Sequence, residues 1–337
     1  MAKKDKVIAI AGPTASGKSA LAVWAAQKLG GEIISADSRQ IYKEFDIASA
    51  KPSESEKCGV AHYMIDVVSP DEEFSVADFT RMSNDIIKKI TAKGKIPIVA
   101  GGTGLYFRAL LQDFDIPEVP ANKKLRDELN QLAKNEGAAA VYRILEQLDP
   151  ELAKKIHPNN TVKIIRAIEV AKALNIPMSQ AQGKKEAPYD VLWLGLNAKN
   201  RDFLYEKINM RVEKMIEKGL WEEACRLFEK YGKTGLLMGT IGYQELYSCI
   251  FEGAERAEAI EKIKQNTRRY AKRQLTWFRA NQEMNWIEIE GDVIAQAEKI
   301  LENHGFLSQS PFLHTQQIQP VENGFYVGFY GAFVLCP

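Results

Sequence analysis

The stretch Gly12-Pro-Thr-Ala-Ser-Gly17-Lys18-Ser19 follows an apolar, β-branched run, Val7 to Ala11, and opens a helical pattern that continues to Leu29. It is a G-x-x-x-x-G-K-[ST] loop in the strand–loop–helix setting such a loop needs. Glycines let the backbone wrap around an anion, while the amides and the helix N-terminus point at it. Lys18 adds charge, and the Ser19 hydroxyl is placed to ligate Mg²⁺. A strand feeding such a loop is apolar along its whole length, so it has to be covered on both faces.

Further apolar runs at Glu32 to Ala36, Ile96 to Ala100 and Val191 to Leu196 alternate with helical patterns. The fold class expected is α/β, a parallel P-loop sheet covered by helices. Between about 116 and 188 the character changes. Pro117 and Pro120 mark the entry, and amphipathic patterns follow at Lys123 to Asn135, Ala138 to Leu148 and Thr161 to Leu174. The expected organisation is a discontinuous core, 1–115 with 189–306, interrupted by an all-helical insertion at 116–188. Two long helices are expected in the returning core, Phe203 to Lys230 and Ala254 to Asn281. A tail, 307–337, carries a glycine-interrupted apolar stretch from Phe325 to Leu335 for which no function is read.

With a formal net charge of +1 over 337 residues, a nucleic-acid partner has to be held by a local basic surface and not by an overall field. The 4 cysteines are scattered and form no C-x-x-C pair, which argues against a zinc module or a disulfide framework. No apolar run reaches the roughly 18 residues of a membrane helix. A cytoplasmic protein without a membrane span is expected.

An NTPase would carry an Asp at the end of a later apolar strand to help hold Mg²⁺. Here the candidate strand runs into Gly101-Gly102-Thr103-Gly104 instead. The acid lies elsewhere: Asp37 ends the second strand, at the edge of an open α/β sheet that faces the ligand crevice. A carboxylate there is either a general base or the N-cap of a following helix, and position alone leaves both open.

The segments Gly12 to Ser19, Asp37-Ser-Arg-Gln-Ile-Tyr42, Lys51-Pro52, Gly101-Gly-Thr-Gly-Leu-Tyr106, Ile156-His-Pro-Asn159 with Arg166-Ala-Ile-Glu169, and Lys272-Arg-Gln-Leu-Thr-Trp277, in that order, resemble the bacterial tRNA dimethylallyltransferase family. The resemblance runs from about Val7 to Ile289. It implies a P-loop core, a helical insertion that clamps the anticodon stem-loop, and displacement of diphosphate from dimethylallyl diphosphate by the N6 amine of adenine 37. Gly12, Pro13, Thr14, Ala15, Ser16, Gly17, Lys18 and Ser19 would then hold the diphosphate, with Mg²⁺ as cofactor at Ser19. Asp37 would take the amine proton, with Lys18 and Thr103 also at the reaction centre. Asp37, Ser38, Arg39 and Gln40 would contact the extruded base and its neighbours. Thr103, Arg126, the stretch Val162, Lys163, Ile164, Ile165 and Arg166, and Gly239, Thr240, Ile241, Gly242, Tyr243 and Gln244 would contact tRNA. Some members carry an Arg where this chain has Gly239, and Arg211 is the expected substitute on the diphosphate. The partners implied are tRNA and the prenyl donor, with the enzyme a monomer.

The pattern from Lys262 to Arg279 interleaves basic residues with Tyr270, Trp277 and Phe278, which suits either an RNA backbone or a solvated face over a core stripe. Rival readings are an isopentenyltransferase acting on free adenylate, a small-molecule P-loop kinase, and a non-catalytic RNA-binding protein. The last would have little need for Lys18, Ser19 and Asp37 together.

Overall fold

The computed structural model describes residues 4–112, 117, 119–181 and 186–307. The apolar and glycine-interrupted stretch of the tail lies outside them. Contacts divide the chain into two compact units: Met1–Phe107 with Tyr189–Pro337, and Arg108–Pro188.

In the larger unit β1 (Lys6–Ala11) runs into the loop and α1 (Lys18–Leu29), followed by β2 (Glu32–Ala36), the short α2 (Glu54–Lys57), β3 (His62–Tyr63), α3 (Val76–Ala92) and β4 (Pro97–Gly101). Next comes α4 (Gly104–Leu111), within which the contact division falls, ahead of the boundary near 116 that the prolines suggested. The smaller unit holds α5 (Lys123–Glu136), α6 (Ala138–Leu148), α7 (Pro150–Ala153), α8 (Thr161–Leu174) and α9 (Met178–Ala181). Leu129, Val141, Leu145, Ile164 and Ile168 form its own core. The larger unit resumes with β5 (Asp190–Asn197), α10 (Arg201–Glu217), α11 (Leu220–Tyr231), α12 (Gly235–Met238), α13 (Tyr243–Glu252), α14 (Arg256–Phe278), β6 (Asn285–Glu288) and α15 (Val293–Asn303).

The six strands among the described residues are parallel neighbours in the order β3-β2-β4-β1-β5-β6. The loop-bearing strand is therefore central, and Val7 to Ala11 are each 0% exposed. Ile8 and Ile10 share one core cluster with Leu21 and Ala25 of α1, Leu204 and Ile208 of α10 and Ala271 of α14. Each isoleucine and leucine among them contributes about 1.5–3 kcal/mol on burial, which fixes β1 while leaving its carboxyl end free to present a loop.

The expected single helix from Phe203 to Lys230 is two helices, because Gly219 at φ 96° breaks the pattern between α10 and α11. Its left-handed backbone is one that glycine adopts without steric cost. β3 and β6 are short edge strands whose patterns are too brief to read from sequence.

Candidate active site

Residues from the carboxyl ends of β1, β2 and β4 meet α10, α14 and the α12–α13 connection around a cavity of about 290 Å³. Gly12 leaves β1 at φ +154°, and a Cβ there would sit 2.9 Å from the Leu196 carbonyl oxygen of β5. Gly17, at φ 90°, turns the chain into α1. Between them the Pro13 carbonyl accepts from the Ser16 hydroxyl at 2.8 Å and from Lys18 Nζ at 2.5 Å. Thr14, Lys18 and Ser19 face the cavity; Gly12, Pro13, Ala15, Ser16 and Gly17 form the loop behind them.

Arg211, on α10, lines the same cavity. Burial, then the repulsion of Arg211, lower the Lys18 ammonium to about 7, with Asp37 opposing that shift. Lys18 retains some solvent exposure because the cavity opens beside it, but protein surrounds it. Lysine, arginine and carboxylate thus come from three elements to one place, which no spacing in the chain revealed.

Asp37 Oδ1 accepts from the Arg39 amide at 2.8 Å and from the Gln40 amide at 3.4 Å. Residues 38–41 form a turn and no helix follows, so the helix-capping alternative is set aside. These bonds hold the carboxylate at the cavity's edge, and among the described residues Oδ2 takes no hydrogen bond. Thr103 does not line the cavity; its hydroxyl accepts from the Ser38 amide at 3.0 Å, tying the turn after β4 to the one after β2. Gln40 accepts from the Ser35 hydroxyl at 2.8 Å and donates to the Ala50 carbonyl at 3.2 Å, so its amide is oriented by protein.

At Gly239 the guanidinium of Arg39 reaches across and donates to the backbone carbonyl at 2.9 Å. Gly239, Thr240 and Ile241 line the cavity; Gly242 and Gln244 do not. Tyr243 is fully buried and donates to Glu223 at 2.7 Å, so its side chain belongs to the core and not to a surface that could touch RNA.

The remaining expected contacts lie in the helical unit. Ile164 and Ile165 are buried there, which corrects the expectation that the whole stretch meets RNA: Lys163 is exposed and Val162 is 79% exposed, while the isoleucines pack the core. Arg126 and Arg166 both hold the buried carboxylate of Glu169.

Two sets of residues that shape the site were not assigned to it from the sequence: those of α14, read only as part of a basic, aromatic helix and a family segment, and Glu223. Arg273, Tyr270 and Gln274 of α14 line the cavity, giving it four cations, Lys18, Arg39, Arg211 and Arg273, against the single carboxylate of Asp37. Burial, then the charge of Asp37, push the Tyr270 phenol up to about 12. Glu223 accepts from the amides of Asp46, Ile47 and Ala48 and so holds the segment that continues into Ser49 and Ala50 at the cavity wall. Its only sequence signal is an acid on the core-facing stripe of an amphipathic helix.

Residues 40–281 match the family model described as IPP transferase. The chain is 44% identical over 290 residues to a tRNA dimethylallyltransferase of Caldanaerobacter subterraneus, covering 85% of this chain and 92% of that one. The chain belongs to the tRNA dimethylallyltransferase family. It is an enzyme of the prenyltransferase class. A tRNA dimethylallyltransferase of Exiguobacterium sibiricum is 47% identical over 286 residues, 85% of this chain and 90% of its own. The solved tRNA isopentenylpyrophosphate transferase of Bacillus halodurans superposes with a TM-score of 0.66 at 39% identity, covering 90% of this chain and 95% of its own. A eukaryotic dimethylallyltransferase acting on tRNA does so with a TM-score of 0.77 at 28% identity, covering 92% and 81%.

Proposed function

We propose that this enzyme transfers a dimethylallyl group from dimethylallyl diphosphate to the N6 amine of adenine 37 in tRNA, releasing diphosphate and giving N6-dimethylallyladenosine. The observation that carries this reading is the single cavity in which the Lys18 cradle, Arg211 and Asp37 meet.

The amine of an adenine is a poor nucleophile at an allylic carbon unless its proton has somewhere to go as the bond forms. Asp37, held from behind by two amides, is placed to accept it. The departing diphosphate gains charge as the carbon–oxygen bond breaks; Lys18, Arg211 and the amides and helix N-terminus of the loop stabilise that charge where it develops. A stacked anticodon-loop base has to be extruded to reach such a pocket, and Gln40, with its amide oriented in advance, suits the hydrogen-bonding edge of an adenine.

The donors available for Mg²⁺ are hard oxygens, the Ser19 hydroxyl and the Asp37 carboxylate, and they border one cavity. Few protein ligands beside diphosphate oxygens is the set this ion favours. Ser19 would hold it, and the ion would supply charge neutralisation to the leaving group.

Lys163 and Val162 of the helical unit and the exposed Arg269, Lys272 and Arg273 of α14 are the surfaces offered to RNA. No described helix is long and apolar enough to cross a membrane.

Incubation of the purified protein with Mg²⁺, dimethylallyl diphosphate and an unmodified anticodon stem-loop, followed by mass spectrometry of the nucleosides, tests the reading. A dimethylallyl increment on the adenosine 3′ of the anticodon, with equimolar diphosphate, is expected. Modification of AMP in preference to the stem-loop, or phosphate transfer from ATP without a prenyl donor, would replace it.

A further inference from the structure

Tyr270, Gln274 and Trp277 follow one another at i, i+4 and i+7 on α14, so they lie along one face of that helix. Each meets a loop of the site. Tyr270 borders the cavity with the Gly101 and Gly102 turn after β4. Trp277 lies against Gly104, where a Cβ would come within 2.2 Å of the indole Cδ1.

Gln274, between them, is buried, and both ends of its amide are used. Oε1 accepts from the Thr14 amide of the phosphate cradle at 2.9 Å, and Nε2 donates to the Gly102 carbonyl at 2.9 Å. Gly102 is small because the amide needs its space: a Cβ there would stand 2.1 Å from Nε2. The amide accepts at one atom and donates at the other, a pairing that neither methionine nor an ionised glutamate reproduces.

We propose that Gln274 is a positioning residue, which locks the phosphate cradle to the turn carrying Thr103 so that the loop for the prenyl donor and the loop beside the base are held in one register. The proposal rests on the reading of the cradle as a diphosphate site. Without the lock, Thr14 and Gly102 each lose a partner in a place from which water is largely excluded, and the two loops are free to shift independently. Reacting groups tolerate such shifts poorly, since displacements near 1 Å cost about a hundredfold in rate.

Gln274→Met keeps the volume and removes both bonds; Gln274→Glu keeps the shape and the bond to Thr14 and, as the carboxylate at pH 8 and above, loses the donor. In the full-length enzyme with Mg²⁺, both variants are expected to weaken inorganic pyrophosphate binding and to lower kcat by about tenfold each, from hydrogen-bond losses of ordinary size. The KM for the stem-loop should stay within twofold. If Gln274→Met fails to fold, the isosteric Gln274→Glu decides alone. Unchanged pyrophosphate affinity and kcat, or an effect confined to the stem-loop KM, would overturn the proposal. Lys18→Ala is measured beside them: if it too leaves pyrophosphate binding intact, the diphosphate reading of the cradle falls, and the proposal with it.

Discussion

Arg126 grips Glu169 through two hydrogen bonds of 2.8 Å, one from Nε to Oε1 and one from Nη2 to Oε2. Arg166 adds a third at 2.5 Å, and the Asn122 amide a fourth at 2.7 Å. Two arginines expected to meet RNA are thus first of all the partners of one carboxylate that is 1% exposed.

Glu169 therefore makes the helical unit sensitive to acid. Burial alone would raise its carboxyl, but Arg126, the Asn122 amide and Arg166 together hold it at about 2. With the folded value below the unfolded one, the stabilisation is complete above roughly pH 4.5 and is lost as the pH falls toward 2. Glu169→Gln is expected to lower stability at pH 7 by about 2 kcal/mol and to flatten this acid limb. Hydrogen exchange of α8 amides across pH 3 to 7, in both proteins, measures it.

Lys18 predicts the pH dependence of donor binding with the opposite sign. An anion favours the ammonium, and in the free enzyme burial and Arg211 have brought that group down to about 7. Pyrophosphate affinity should fall as pH rises through 7, approaching tenfold per unit above it. Lys18→Met should lack this component, so titration calorimetry of both proteins at pH 6, 7, 8 and 9 isolates it from the ionisation of pyrophosphate itself.

Arg211→Ala removes a repulsion on Lys18 and a cation from the cavity at once. Donor affinity is expected to fall by about tenfold while the lysine-dependent pH effect moves to higher pH. An unchanged KM for dimethylallyl diphosphate would remove Arg211 from the diphosphate site.

Glu223 accepts from the amides of Ile47 and Ala48 at 2.8 and 3.0 Å and from the Tyr243 hydroxyl at 2.7 Å. Glu223→Ala should destabilise the larger unit by about 3 kcal/mol, since buried donors lose a charged acceptor. The shift should appear in the urea midpoint with little change in slope.

Gly104→Ala should force Trp277 from its seat, costing about 1–3 kcal/mol. The double variant with Trp277→Ala should recover part of that loss, and thermal melts of the four proteins close the cycle.

The phosphate loop, its strand and α1 were legible because each is local: a continuous apolar run, glycines where the backbone turns, and a helical period, all within Lys6 to Leu29. Asp37 was legible as an acid ending a strand, and the helices of the 108–188 unit by their amphipathic period. The boundary at 116 was less so, because prolines mark where a helix stops and not where contacts divide. Val162 to Arg166 showed the same limit, since one helical turn necessarily points some side chains inward and others out.

By itself the sequence determined which pieces would exist: a buried parallel strand, an anion-wrapping loop, an acid after β2 and a basic helix near the end. Only the tertiary structure decided that Lys18, Asp37 and Arg211 border one cavity, that Gln274 spans from the cradle to Gly102, and that Glu223 holds a loop far from it in the chain. The physical reason is range. Dihedral preference and hydrophobic period act over a few neighbouring residues, whereas a hydrogen bond between Thr14 and Gln274 exists only after sheet and helix have packed and excluded water from both.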